Sequence, residues 1–335
     1  MFVRANTMRI SAAFLVCLSG VFGSRGLNAG IAQTEPSQRP AGVIRTYNTP
    51  FDPAQQTPIT ATKGDIEIRL AGIERCARCT SAYQLTLEVA NRAQGRTRRF
   101  DITDGPAQID EIHIIDDLHA VIVGRVQATI NSVVLLDISS GAVNDKLLCF
   151  YPSVSPDGTR IAYVKVYPIH FMENVSNEYL IYDLSRSPAD NRNAGIAGND
   201  DTNVGAAIYP LGSKNVPGDN LNVPSSLSHQ LASDGFFWSP DSKKVVFADR
   251  TNGSNFLVAV DLSAGVKNPS VAELPLESEK IINRDHCQEY SRKEAYAFNV
   301  SKVEFSDASS SVLKLHFNFP IPSCRMVDAL TVDLP

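Results

Sequence analysis

From Gly64 onward the chain reads as short apolar runs that alternate with polar positions and are cut by Gly, Asp, Asn, Ser and Pro. A period of two between turn-forming residues predicts β-strands, and their even recurrence predicts an all-β fold. No amphipathic pattern sustains a helix of more than three turns, and the nearest helical candidate is 278–294. Residues 33–63 are rich in Pro, Gln, Thr and Ala and keep no period, so they are expected to form a linker or closing arm. Ahead of them, Ile10 to Phe22 form a mostly apolar run of 13 residues, with Arg4 and Arg9 before it and Ala29, Gly30 and Ala32 after it. That run is shorter than the roughly 18 residues a membrane span needs, and its flanks match a secretory leader. The expected organisation is therefore a signal peptide over 1–32, an arm over 33–63 and one β domain over 64–335. No later stretch is long enough to span a membrane.

The alternating runs repeat. Val154-Ser155-Pro156-Asp157-Gly158-Thr159-Arg160-Ile161 returns as Trp238-Ser239-Pro240-Asp241-Ser242-Lys243-Lys244-Val245. Two decayed copies start at Phe305 and Ile114, and in all four the first apolar residue stands seven positions before the next apolar run. A second signature follows each copy: Leu136-Asp137-Ile138, Tyr182-Asp183-Leu184, Val260-Asp261-Leu262 and Val332-Asp333-Leu334. The chemistry of the unit is that of tight turns. Pro presets φ, Asp caps the following amides, and Gly takes the positive φ that other residues resist. Pro156, Asp157, Gly158, Pro240, Asp241, Asp137, Asp183 and Asp261 are accordingly read as turn residues with a structural role. Each unit then holds four antiparallel strands, labelled a to d in chain order, and such units in series are the blades of a β-propeller.

The segments Ser155-Pro156-Asp157-Gly158 and Trp238-Ser239-Pro240-Asp241, with the apolar runs behind them, resemble the TolB-type (WD40-like) propeller repeat. The resemblance covers roughly 109–334 and implies a propeller, while the chain leaves no room for the N-terminal α/β domain that accompanies this repeat in TolB. It implies nothing about activity, because such propellers serve as docking platforms and as parts of enzymes alike. About five blades are expected, near 64–103, 109–150, 151–212, 234–277 and 299–334. Six is the alternative, with 186–234 read here as insertion. The last blade stops after its third strand, so closure calls for a strand from 42–60, which would also remove exposed sheet edges.

Composition narrows the function classes. The chain carries 31 Lys+Arg against 36 Asp+Glu, with no basic block, which excludes the electrostatic footprint of a nucleic-acid binder. Loss of the leader removes Arg4, Arg9 and Arg25 and no acid, leaving 28 basic against 36 acidic residues. Five cysteines remain. Cys149 sits in an apolar run and reads as a core residue. Cys76, Cys79, Cys287 and Cys324 fall in expected loops, and in an oxidising compartment they are disulfide candidates for the closing seam. A four-thiolate metal site is the alternative that the Cys76-x-x-Cys79 spacing leaves open.

In a propeller the b–c and d–a connections leave from one face, which here receives the long insertions 167–177, 213–233 and 278–298. His170, Glu173, His229, Asp285, His286 and Glu289 lie in them and are the candidates for a binding face; imidazoles and carboxylates brought together there could also hold a metal or move protons. Their spacings match no metal motif, and no cofactor is expected. Asp110, Glu111 and Asp234, near the starts of innermost strands, are weighed as glycosidase carboxylates and read as surface residues. Nucleophile-elbow, Walker and dinucleotide motifs are absent. The expectation is an exported, periplasmic or secreted, non-enzymatic platform that binds another envelope or extracellular protein or a ligand. The competing expectation is a hydrolase or lyase acting on a glycan or peptide through the loop His, Asp and Glu residues.

Overall fold

The computed structural model describes residues 59–76, 83–103, 105–126, 130–165, 178–194, 205–210, 229–283, 298–306, 311–318 and 325–334. The expected leader lies outside them, as do most of the arm, His170, Glu173, Asp285, His286, Glu289, Cys79, Cys287 and Cys324. The described chain is built almost wholly of antiparallel strands. Among the described residues no helix is long and apolar enough to cross a membrane.

The first sheet has the order β1 (Thr60–Lys63), β2 (Ile66–Arg75), β3 (Tyr83–Asn91), β4 (Arg96–Thr103). The expected boundary at Gly64 falls inside the β1–β2 hairpin: Thr60 pairs with Arg69 and Lys63 with Ile66. The end of the expected arm is thus the first strand of the first sheet. Four polar or small residues, Thr-Ala-Thr-Lys, are too short a run for periodicity to reveal.

A seven-stranded sheet follows: β5 (Gln108–Ile114), β6 (His119–Arg125), β7 (Asn131–Asp137), β8 (Val143–Val154), β9 (Arg160–Lys165), β10 (Tyr179–Asp183) and, after helix α1 (Pro188–Ala194), β11 (Ala206–Tyr209). Two expected blades are joined here, because β8 serves as the last strand of one and the first of the next. The pairing slips between Phe150 and Ser153, where Tyr151 adopts a φ of 51°.

The next sheet holds β12 (Gln230–Leu231), β13 (Phe237–Trp238), β14 (Lys244–Thr251), β15 (Ser254–Asp261) and β16 (Ser270–Leu276). It starts at Gln230, inside the expected 213–233 insertion, and its first strand is split. Between the two pieces the backbone leaves β14 and pairs with the following sheet, Ser233 bridging Val300. The last sheet contains β18 (Asn299–Phe305), β19 (Val312–Asn318) and β21 (Leu330–Asp333). Before it come helix α2 (Ser278–Ile281) and β17 (Ile282–Asn283), which pairs with β20 (Arg325–Met326). Of the helical candidate 278–294 the described part is one turn, Ser278–Ile281, followed by the strand Ile282–Asn283, and 284–294 lie outside the described residues.

Each apolar core lies between successive sheet units. Ile68, Leu87, Ile122 and Leu136 pack between the first two; Cys149, Tyr163, Leu180 and Tyr182 form the next layer; Tyr179, Ile181, Phe247 and Val258 the third; Val246, Leu257, Phe298 and Leu315 the fourth. Strands packed on both faces are apolar on both, which explains the unbroken buried apolar runs Ile161–Val164 and Val245–Ala248. Each fully buried Ile, Leu or Phe contributes about 1.5–3 kcal/mol.

The repeated turns are superimposable in their bonding. Ser155 Oγ and Ser239 Oγ each donate to the following Asp, Asp157 and Asp241, at 2.6 Å, and each accepts the amide five residues on, Arg160 and Lys244. Asp137, Asp183 and Asp261 accept the amides of Ser139, Ser185 and Ser263. The amide after each of these aspartates reaches the residue before the unit's second strand: Ile138 to Leu118, Leu184 to Thr159, Leu262 to Lys243 and, in the last unit, Leu334 to Ser311. The expected constant spacing holds between the two clear copies only. Ser155 and Ser239 close on the fifth residue, Ile115 on the fourth and Ser306 on the sixth. Without Ser-Pro-Asp to preset it, the turn slips by one residue.

Neighbouring turns also bond to each other. Asp157 donates its amide to Ser242 Oγ, and Arg160 Nη1 donates to the Ser242 carbonyl. Trp238 Nε1 reaches the Ser153 carbonyl, and Lys63 Nζ the Ile115 carbonyl. Gly158, at φ 74°, passes so close to Ile115 that an added Cβ would lie 3.0 Å from its Cδ1.

Candidate functional site

The opposite end of the sheets, where the long connections leave, carries three of the four buried charged side chains among the described residues, Lys165, Glu178 and Asp249; the fourth, Asp145, lies near the turn end and accepts the Tyr182 hydroxyl. β9 and β10 part at Lys165 and Glu178, whose side chains form an ion pair at 2.9 Å with 9% and 8% exposure. These two residues flank 166–177 in the chain. His229, the first described residue after 211–228, places Nδ1 2.6 Å from Asp249 Oδ2; Asp249 is wholly buried and His229 is 17% exposed. Tyr179 donates its hydroxyl to the other Asp249 oxygen at 2.5 Å. Arg250 donates to Asn255 Oδ1 and to the carbonyl of Phe298, the first described residue after 284–297.

Local sequence explains these positions. Asp249 continues the face of β14 that Val245 and Phe247 give to the third core, so its carboxylate is delivered into the sheet interface, where Tyr179 meets it. Tyr209 closes the other side, its ring 5.3 Å from that of His229 in an edge-on contact. Burial, with Asp249 and Glu273 nearby, pushes the Tyr209 hydroxyl well above its ordinary range, so it stays protonated. Burial lowers the Arg250 guanidinium from its usual value without approaching neutrality, opposed by Asp249. The arrangement fixes one imidazole against a buried carboxylate, which sets its ring orientation and favours a proton on Nδ1.

Of the six expected binding-face residues, His229 alone is described, and it sits at this end. Among the described residues no cluster of three metal-ligating side chains occurs. Asp110 pairs with Arg125 at 3.1 Å, Glu111 with His113 at 2.8 Å, and Asp234 accepts from Asn318. Cys149 is free and fully buried, and burial pushes its thiol far up. Cys76, directly after β2, is engaged by a partner outside the described residues. Sequence reasoning missed Lys165, Glu178, Asp249 and Tyr179. The available signal was a charge that ends an otherwise apolar strand next to a long connection.

No protein-family model matches the chain, and no curated protein is similar to it. Among solved structures, TolB from Acinetobacter baumannii aligns at 16% identity over 81% of this chain and 51% of its own, with a TM-score of 0.33. A eukaryotic initiation factor aligns at 9% identity over 83% and 55%, with a TM-score of 0.42, and the Dos1 propeller at 10% over 79% and 50%, with 0.36. The chain spans about half the length of these proteins. At such identities and TM-scores the likenesses carry no argument about activity or partners, and the description of the fold rests on the sheets themselves.

Proposed function

We propose that the chain is an exported, periplasmic or secreted β-propeller of five blades that acts as a non-enzymatic platform, holding another envelope or extracellular protein on the end that bears the long connections. One observation carries this reading: three long stretches between described strands are each flanked by a buried or half-buried charged bond, Lys165–Glu178 for 166–177, His229–Asp249 for 211–228 and Arg250–Phe298 for 284–297. Burying such charges costs several kcal/mol per ion before pairing, and apolar residues would fill these positions at lower cost. Their use at the feet of the connections supports a role in holding those segments in one orientation, as a recognition surface requires.

The cysteines fit the same reading. β17 pairs with β20, Asn283 opposite Arg325; in the chain Cys324 directly precedes Arg325 and Cys287 follows Asn283 by four residues. We assign Cys287–Cys324 as one disulfide and Cys76–Cys79 as the other, and peptide mapping of the mature protein reads both.

The hydrolase or lyase reading is favoured by one contact, the His229–Asp249 pair at 2.6 Å. Replacement of 212–227 by a short Gly/Ser linker separates the two. The platform reading expects the variant to fold and melt near the parent while losing a partner that co-purifies stoichiometrically with the parent from the envelope. Retention of that partner by the variant overturns it, as does a hydrolytic activity of the parent that His229→Ala removes.

A further inference from the structure

At the other end of the molecule, where the tight turns lie, a cavity of about 190 Å³ opens between the β5–β8 and β8–β11 units of the seven-stranded sheet. Its walls include Val121, Leu135, Leu184 and Pro188, and its polar lining includes Asp116, His119 and Arg186. At roughly 30 Å³ per water its volume equals about six waters. That is below the 300–1,000 Å³ of drug-sized pockets, so the space suits a body no larger than a short aliphatic chain.

Arg186 gives the cavity its chemistry. The Arg186 amide donates to the Asp183 carbonyl, and Ser187 beside it caps α1 by accepting the Asp190 amide, so the backbone that carries the guanidinium is held on both sides. The Arg186 Nη1 is buried and has no hydrogen-bond partner among the described residues. A buried guanidinium donor without an acceptor is costly, and its planar fork matches a carboxylate. The one acid in the lining is committed elsewhere: Asp116 accepts the amides of Leu118 and His119 and lies 3.0 Å from His119 Nδ1. Burial pushes the Asp116 carboxyl up, but the His119 ring and those amides together hold it below its ordinary value, so it is not a donor to a ligand anion.

We infer that this cavity is a binding site for a small free carboxylic acid with a short apolar body, its carboxylate on Arg186 and its body against Val121, Leu135 and Leu184. The site lies apart from the end proposed above for a protein partner and does not depend on that reading.

Calorimetric titration of the mature protein with isovalerate tests it. Saturable binding is expected, with isovaleramide, of the same shape and without charge, roughly tenfold or more weaker. Arg186→Gln, which breaks no ion pair among the described residues, is expected to melt near the parent and to lose isovalerate binding by a similar factor. The comparison of acid with amide on the unaltered protein stands even where the variant fails to fold. Equal binding of acid and amide, undiminished binding by a folded Arg186→Gln, or no saturable binding of isovalerate overturns the proposal. So does tighter binding of an Ala-Ala-Leu peptide with a free C-terminus than of isovalerate, which would make the ligand a chain terminus.

Discussion

At the scale of single residues, the polar side chains that matter divide into those that make turns and those that brace long connections. Asp137 belongs to the first group. The Ser139 hydroxyl and the amides of Ser139 and Ser140 hold its carboxyl at about 2, below the ordinary 3.8. Its folded value is the depressed one, so its contribution to stability is fully present above pH 3.8 and is lost as pH falls towards 2. Its exposure keeps that contribution small. A carboxyl-detected NMR titration is expected to place its midpoint near 2, and Asp137→Asn to flatten the acid limb of the stability profile. Lys165 and Glu178 belong to the second group. Lys165→Met alone strands a buried carboxylate and is expected to cost about 3–5 kcal/mol in urea unfolding, while Lys165→Met with Glu178→Leu is expected to be neutral or up to about 4 kcal/mol more stable. A double variant as unstable as the single one would show that the pair is needed for folding rather than for holding the connection. The turn group was legible in the sequence, because Ser-Pro-Asp-Gly states its own geometry. The bracing group was not: nothing local to Asp249 announces that Tyr179, seventy positions earlier, will donate to it.

At the scale of elements, the repeat set the strands correctly where alternation and turn residues agreed, from β5 through β10 and from β14 through β16. It failed where one of the two was missing. β1 lacks apolar alternation, β12 and β13 are two residues each because the chain leaves one sheet to bridge another, and β17 and β20 exist only through their mutual pairing. The joint between neighbouring units is also a property of elements. Ser242 takes a φ of 59°, the position where the other copy has Gly158, and its hydroxyl accepts the Asp157 amide from the adjacent unit. Ser242→Gly relieves the backbone and loses the bond, effects of about 1 kcal/mol each that nearly cancel. Ser242→Ala keeps the strained φ and loses the bond, so it is expected to be the less stable of the two by about 1 kcal/mol in chemical denaturation. Equal stability of the two variants would remove the backbone strain from the account, and a Ser242→Ala variant as stable as the parent would remove the inter-unit bond.

At the scale of the whole molecule, serial antiparallel sheets with apolar layers between them divide the surface into two ends of different character. One end is made of tight turns bonded to each other, and the other anchors the long connections on buried charges. Fold class was legible because it repeats; the site was not, because its parts come from different units and meet only in the folded chain. The central claim is that the loop-bearing end is the surface that meets a partner. Site-specific photo-crosslinking in the envelope tests it most directly, with a benzophenone side chain placed at exposed Gln230 or Ser254 on that end and at exposed Ser140 or Lys243 on the turn end. The account predicts a common protein adduct from Gln230 and Ser254 and none from Ser140 and Lys243. An adduct from the turn end alone, or none from either end, would contradict it.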